Sequence, residues 1–291
     1  MVEYNGSLPT FVLNPYSWTK ILLLALVSYI QGHCKGSQTR DTKFSDSINE
    51  FLRKWLLSHT RFIANPLYIA SDSYSGVVVP IIVQKISEGT DKHIFLNTSI
   101  ASLDYKSHLV TMLQGYLLGN PATDKKFDVN SRVPFAHCMA IIPDELHESA
   151  KRSCNGEYVG VDSSNIQCAN DLQAISNGTI RWWIRCNTDL PYKRDVKSTV
   201  SYHFYLNRKG YRALIYSGDH DMIIPYIGTQ LWIKSLNLSI VDEWRQQLVD
   251  DQVGGFTRGF SNHLTYATVK ARVLLLFNHN CFASESEGNF N

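Results

Sequence analysis

Between residues 66 and 86 an apolar run is broken by a cluster of small polar residues and then resumed, and few folds accommodate that pattern. Pro66-Leu67-Tyr68-Ile69-Ala70 is short and apolar, Ser71-Asp72-Ser73-Tyr74-Ser75-Gly76 follows, and Val77 to Ile86 is apolar again. This spacing predicts a strand, a tight turn and a helix, with Pro80 tolerated in the first helical turn. Upstream, Ile48, Phe51, Leu52, Trp55 and Leu56 recur at threes and fours between charges, so an amphipathic helix is expected from Ser47 to His59. Downstream, Leu109 to Leu118 reads as a strand closed by Gly119-Asn120-Pro121, and Tyr211 to Tyr216 as a strand ending at Ser217-Gly218-Asp219. Ile227 to Leu236 then reads as a helix, Ile240 to Trp244 as a strand, and Phe256 to Val269 as a hairpin-like pair. Strands alternating with helices imply an α/β fold: a mostly parallel sheet with helices on both faces.

Composition narrows what such a fold would act on. A chain of 291 residues, 44% hydrophobic and without repeats, is expected to form one domain. Twenty-eight basic residues against 26 acidic ones, with no long charge run, give no reason to expect nucleic acid or an anionic membrane as partner. A small molecule or a peptide is expected instead. The longest apolar stretch, Ile21 to Val27, is too short to span a bilayer. It also begins late for a secretory signal and lacks a small-residue cleavage site, so a buried strand or helix is expected there and no signal peptide. The six cysteines, Cys34, Cys138, Cys154, Cys168, Cys186 and Cys281, lack the two-residue spacings of zinc or dithiol sites, so neither metal nor cofactor is expected. Acceptor sequons begin at Asn5, Asn97, Asn177 and Asn237, which tilts the expectation toward the secretory pathway.

In open α/β sheets the reacting groups collect at the carboxyl ends of strands, and two such ends draw notice here. At the first, Ser73 would stand at the tip of a strand-to-helix turn with Ser71 and Ser75 as its small neighbours. A serine held there is a nucleophile elbow, and the backbone N–H of Tyr74 would be one oxyanion donor. The same residues also read as a serine-rich helix cap. At the second, Asp221 follows the strand at Tyr211 to Tyr216, placed to orient a histidine, although it also reads as a turn acid and Asp219 competes for the role. Serine followed by acid is the chain order of α/β hydrolases.

Several strings carry a family resemblance. Asn14-Pro15-Tyr16-Ser17-Trp18-Thr19-Lys20, Asp72-Ser73-Tyr74-Ser75-Gly76, Gln114-Gly115-Tyr116-Leu117-Leu118-Gly119-Asn120-Pro121 and Tyr216-Ser217-Gly218-Asp219-His220-Asp221 resemble plant serine carboxypeptidase-like proteins. So do Lys151 to Gly156 and Ser239 to Arg245, and the likeness runs with interruptions from about Tyr4 to Lys270. It implies an α/β-hydrolase fold, Ser73 as nucleophile, Asp221 as triad acid and no cofactor. Peptidases of this family usually carry glutamate before the nucleophile. Asp72 there resembles the branch that moves acyl groups from glucose esters to plant metabolites, so a small-molecule acyl ester joins peptides as the implied substrate. The resemblance further implies a disulfide between Cys154 and Cys168, an unpaired Cys186, and residence in the secretory pathway, the vacuole or outside the cell.

The departures from the pattern are equally specific. The family's glycine-rich oxyanion segment precedes the part matching Tyr4, the register is lost from Ile21 to about Asp41, and a family insertion is missing between Ala174 and Gly178. Where the resemblance places a glycine-rich turn with the catalytic histidine, residues 271–291 form a divergent tail that begins Ala271-Arg272-Val273-Leu274. His279 lies too far along, and His263 and His220 are no better placed. The expectation is therefore an incomplete α/β hydrolase. It either catalyses serine-dependent acyl transfer or carboxypeptidase-type hydrolysis, or is an inactive truncated or mis-spliced product.

Overall fold

The apolar segments pair into one seven-stranded sheet whose order is set by crossovers and one hairpin run. A computed structural model of the chain describes residues 39–89, 109–179 and 192–270, apart from Thr111 and Ser163, and the backbone of short strands before them. Those strands are β1 (Val2–Glu3) and β2 (Thr10–Phe11), which pair with each other, and β3 (Leu23–Ala25). β4 (Thr39–Arg40) leads into helix α1 (Asp41–Ser58), then β5 (Leu67–Asp72), α2 (Ser75–Glu88) and β6 (Leu113–Gly119). Four helices follow: α3 (Lys125–Asn130), α4 (Arg132–Cys138), α5 (Asp144–Ser153) and α6 (Ile166–Thr179). The chain then runs through β7 (Tyr192–Lys193), α7 (Val200–Arg208), β8 (Arg212–Gly218) and α8 (Tyr226–Ser235). It closes with β9 (Ile240–Val249), β10 (Gln252–Phe260) and β11 (Leu264–Val269).

The sheet order is β3-β5-β6-β8-β11-β10-β9, parallel from β3 through β11 and antiparallel for the last two strands. The parallel strands are rich in fully buried side chains, as sheets covered by crossover helices require. Ile48 and Leu52 of α1, Val78 and Ile82 of α2, Leu206 of α7 and Trp232 of α8 join Ile69, Tyr116, Ile215 and Tyr266 of the strands in one core. A second cluster, Val133, Ala136, Ile142, Ala150 and Ile175, lies among α4, α5 and α6. Beside it Cys154 and Cys168 form the disulfide, closing a loop of sequence separation 14.

Three local expectations are corrected. The strand expected at Leu109 starts only at Leu113, because Leu109 and Met112 are helical and buried. An apolar run alone does not separate a buried helix end from a buried strand. Pro80 lies beyond the first turn of α2, where its missing N–H frees the Gly76 carbonyl. That oxygen instead accepts a hydrogen bond from Thr199 Oγ1 at 3.5 Å. Finally, β9 continues five residues past Trp244 to a tight turn at Asp250 and Asp251, both with positive φ. Of the glycosylation sequons, those at Asn177 and Asn237 are exposed, whereas Asn5 and Asn97 lie outside the described residues. Cys34, Cys186, Cys281, His279 and the tail 271–291 lie outside them as well. No helix of the described residues is long and apolar enough to cross a membrane.

Candidate active site

Ser73 sits between the end of β5 and the start of α2 with φ 59°, a left-handed conformation that a non-glycine residue adopts at a cost of about 1–2 kcal/mol. Such strain persists only if the surroundings over-determine it, and here three backbone bonds do. Ser73 N–H donates to the Gly119 carbonyl at 2.9 Å, and the Ser73 carbonyl accepts from the amides of Gly76 and Ala122, both at 3.0 Å. The Ser73 residue is exposed, at the sheet edge where the parallel strands end.

Gly76 is the close-approach residue that sequence reasoning passed over in favour of Ser71 and Ser75. A Cβ there would stand 2.6 Å from Pro121 Cβ and 2.7 Å from the Ala122 carbonyl oxygen. The signal for it was a glycine in the first helical turn, where propensity argues against one. Gly119 faces a similar limit, because a Cβ would fall 2.4 Å from the Tyr216 hydroxyl. That hydroxyl is pushed up to about 12 by burial and by the carboxylate of Asp72, so the aspartate before Ser73 lies close to the end of β8.

Asn120, buried and at φ 38°, couples the ends of β6 and β8. Its N–H donates to the Tyr216 carbonyl at 2.8 Å, and its Oδ1 accepts from Gly218 N at 2.7 Å. One residue on, Asp219 N–H donates to the Val269 carbonyl of β11 at 3.0 Å. A continuous series of hydrogen bonds therefore ties the Ser73 turn to β6, β8 and β11. Ser73 and the loop carrying Asp221 follow strands separated only by β6, an interval of two strand spacings or about 10 Å.

The Asp221 carboxylate is organised from within its own loop. Oδ1 accepts the amides of Ile223 and Ile224 at 2.8 and 3.0 Å, and Arg132 Nε donates to the Ile223 carbonyl at 3.0 Å. Burial draws the Arg132 pKa below its ordinary value, while the carboxylates of Asp128 and Asp221 oppose that fall. No described histidine bonds Asp221. His220 instead pairs through Nδ1 with Asp219 Oδ1 at 2.6 Å. His203 is sealed in the core, with Nδ1 on the Tyr116 hydroxyl at 2.8 Å and its ring stacked on Trp232, and burial takes its pKa down to about 3. The described structure thus brings Ser73, Tyr74, Asp72 and Asp221 to the same end of the parallel strands, with no hydrogen bond from a described histidine to Ser73 or Asp221.

Behind Tyr74 lies a residue that sequence reading did not single out. Asp41, fully buried at the start of α1, accepts the hydroxyl of Tyr74 at 2.6 Å, the hydroxyl of Tyr192 at 2.7 Å and the amide of Val196 at 3.0 Å. Burial first and Asp41 second hold both phenols well above the usual tyrosine range.

Comparison with known proteins agrees with this architecture. The family model for serine carboxypeptidase matches residues 2–182 and 175–272. Serine carboxypeptidase-like 17 and serine carboxypeptidase-like 2 of Arabidopsis thaliana are 40% and 41% identical to the chain over 321 and 322 residues. Each match covers 92% of this chain and 70% of the relative. The crystal structure of a prohormone-processing carboxypeptidase from Saccharomyces cerevisiae superposes with a TM-score of 0.56 at 14% identity. That superposition covers 80% of this chain and 63% of the yeast one, and supports a common fold. With a family model spanning most of its length and relatives near 40% identity, the chain belongs to the serine carboxypeptidase family, on an α/β-hydrolase fold.

Proposed function

We propose that this chain carries a serine-dependent acyl-transfer site in which Ser73 is the nucleophile, the Tyr74 N–H an oxyanion donor, Asp221 the triad acid and Asp72 a substrate-binding group. The observation that carries the reading is the left-handed Ser73, locked by three backbone bonds at the carboxyl edge of the parallel strands. In that reading Ser73 Oγ adds to an ester or amide carbonyl carbon and its proton passes to a general base. The bond to the leaving alcohol or amine breaks as that group takes up the proton, and an acyl-enzyme remains. An alcohol or a water then adds to the acyl carbon, giving a new ester or an acid and releasing Ser73. An aspartate at position 72 favours transfer from a small acyl ester to an alcohol over peptide hydrolysis. Exposed sequons and the Cys154–Cys168 disulfide support residence in the secretory pathway, in the vacuole or outside the cell.

The test is to incubate the chain with a 1-O-acyl-glucose or with a blocked dipeptide and to map the acyl adduct by peptide mass. The expected result is an adduct on the peptide holding Ser73, absent in Ser73→Ala, with Asp72→Glu moving the preference toward the dipeptide. An adduct elsewhere, or one that survives Ser73→Ala, would overturn the assignment.

A further inference from the structure

We propose that Asp41 is a positioning residue for the nucleophile turn, acting through the side chain of Tyr74; the proposal rests on the reading of Ser73 as nucleophile and Tyr74 N–H as oxyanion donor. Tyr74 is the residue on which that donor depends, and its backbone has only the turn and the first residues of α2 to orient it. Its side chain supplies the second anchor. The phenol reaches Asp41 across 33 residues of sequence, and on the same Oδ1 it meets the Tyr192 hydroxyl, 151 residues from Asp41. The Val196 amide completes the set on Oδ2. Two hydroxyls and an amide thus converge on one fully buried carboxylate at the first residue of α1, where the helix dipole also favours negative charge.

The chemistry of this set requires a carboxylate. All three partners are donors, and a carboxylate presents acceptors only, whereas the amide group of asparagine would turn a donor toward at least one of them. The surroundings add rigidity. Tyr192 meets Tyr74 edge-on with ring centroids 5.9 Å apart, and the Arg194 guanidinium lies over the Tyr74 ring, 5.2 Å from its centroid. Asp195 in turn accepts the amide and hydroxyl of Thr42 at 3.2 and 2.6 Å, fastening this segment to α1 a second time. Tyr74 is therefore held by its ring on one side and by the strand-to-helix turn on the other. Its N–H has its direction fixed before a carbonyl arrives, which is the condition for an oxyanion donor to act without reorganisation.

The experiment compares the full chain with Asp41→Asn, Tyr74→Phe and the double variant by hydrogen exchange and by fluorophosphonate labelling of Ser73, each at temperatures well below its own thermal midpoint. Faster exchange is expected across residues 71–79 in either single variant, with none across 212–218. Labelling per folded molecule is expected to slow about tenfold, a fraction of what deleting an oxyanion donor costs. The double variant is expected to be no slower than the slower of the two single variants, since the Tyr74 hydroxyl and Asp41 act through one connected set of hydrogen bonds. Unchanged exchange at 71–79 would overturn the proposal. So would exchange that rises throughout the chain while labelling per folded molecule stays constant, because that pattern belongs to a residue that only stabilises. Local loosening at 71–79 without any Ser73 labelling in the parent chain would support the Asp41 contact and refute the nucleophile assignment.

Discussion

Asp128 of α3 shows how a single buried carboxyl can set the pH range of this fold. Its Oδ2 accepts the Thr123 amide at 2.9 Å, its Oδ1 is buried without a partner, and burial raises its pKa to about 7. A raised carboxyl pKa means that the folded chain holds the proton more tightly than the unfolded one between about pH 4 and pH 7. Stability from this group therefore falls as pH rises through that window and stays low above it. Asp128→Asn keeps an acceptor for Thr123 and removes the buried charge. It is expected to be more stable than the parent at pH 8 by on the order of 2–4 kcal/mol and equal to it near pH 4. Denaturant midpoints at the two pH values check this, and a variant less stable than the parent at pH 8 would sink it. Ser73 and Asp221 were open to inspection in the sequence because each stands in a short string with its own turn chemistry. Asp41 and Asn120 were not, since Asp41 finds partners 33 to 155 residues away and Asn120 bonds Gly218 at 98. No local pattern encodes such contacts.

At the scale of elements, the strand-turn-helix unit at β5 and α2 was legible because apolar runs and small polar residues alternate there without ambiguity. The same reasoning failed where two structures share one pattern, as at Leu109, and where compensation comes from afar, as with Thr199 under Pro80. The turn between β9 and β10 was missed for another reason. Asp250 and Asp251 both have positive φ, 50° and 58°, as a two-residue hairpin with the twist of its strands requires. Asparagine followed by glycine is the usual signal, and two adjacent aspartates give only a weak one while repelling each other. Replacing them with that pair, Asp250→Asn with Asp251→Gly, is expected to stabilise the chain by about 1 kcal/mol. A thermal midpoint that falls instead would show that this turn is held by something other than its own backbone preference.

For the molecule as a whole, the proposed role of Ser73 requires an acceptor for its hydroxyl proton. Hydrogen bonds tie the turn of Ser73 through β6 and β8 to β11, so Ser73 and the loop of Asp221 share one rigid edge. A rigid edge does not supply a base. His220 is committed to Asp219, His203 is neutral in the core, and after Lys270, where the family resemblance calls for a glycine-rich turn with a histidine, the chain reads Ala271-Arg272-Val273-Leu274. A serine hydroxyl without a positioned base reacts slowly, and general-base assistance is worth about a hundredfold to ten-thousandfold. The chain is therefore expected to acylate at Ser73 slowly and to be accelerated by added imidazole, at least about tenfold, because Ser73 is exposed and Asp221 follows a strand only two places away in the sheet. The measurement is the rate of Ser73 acylation by an activated ester against imidazole concentration, with Ser73→Ala as the control. Imidazole should act on the parent and have no effect on Ser73→Ala, and N-methylimidazole, which cannot donate a hydrogen bond to Asp221 while it accepts the serine proton, should act less well. Fast acylation indifferent to imidazole would overturn this account. If that activity disappeared in His279→Ala, the base would be assigned to the tail, and the family triad would be completed by a histidine several residues beyond its usual place.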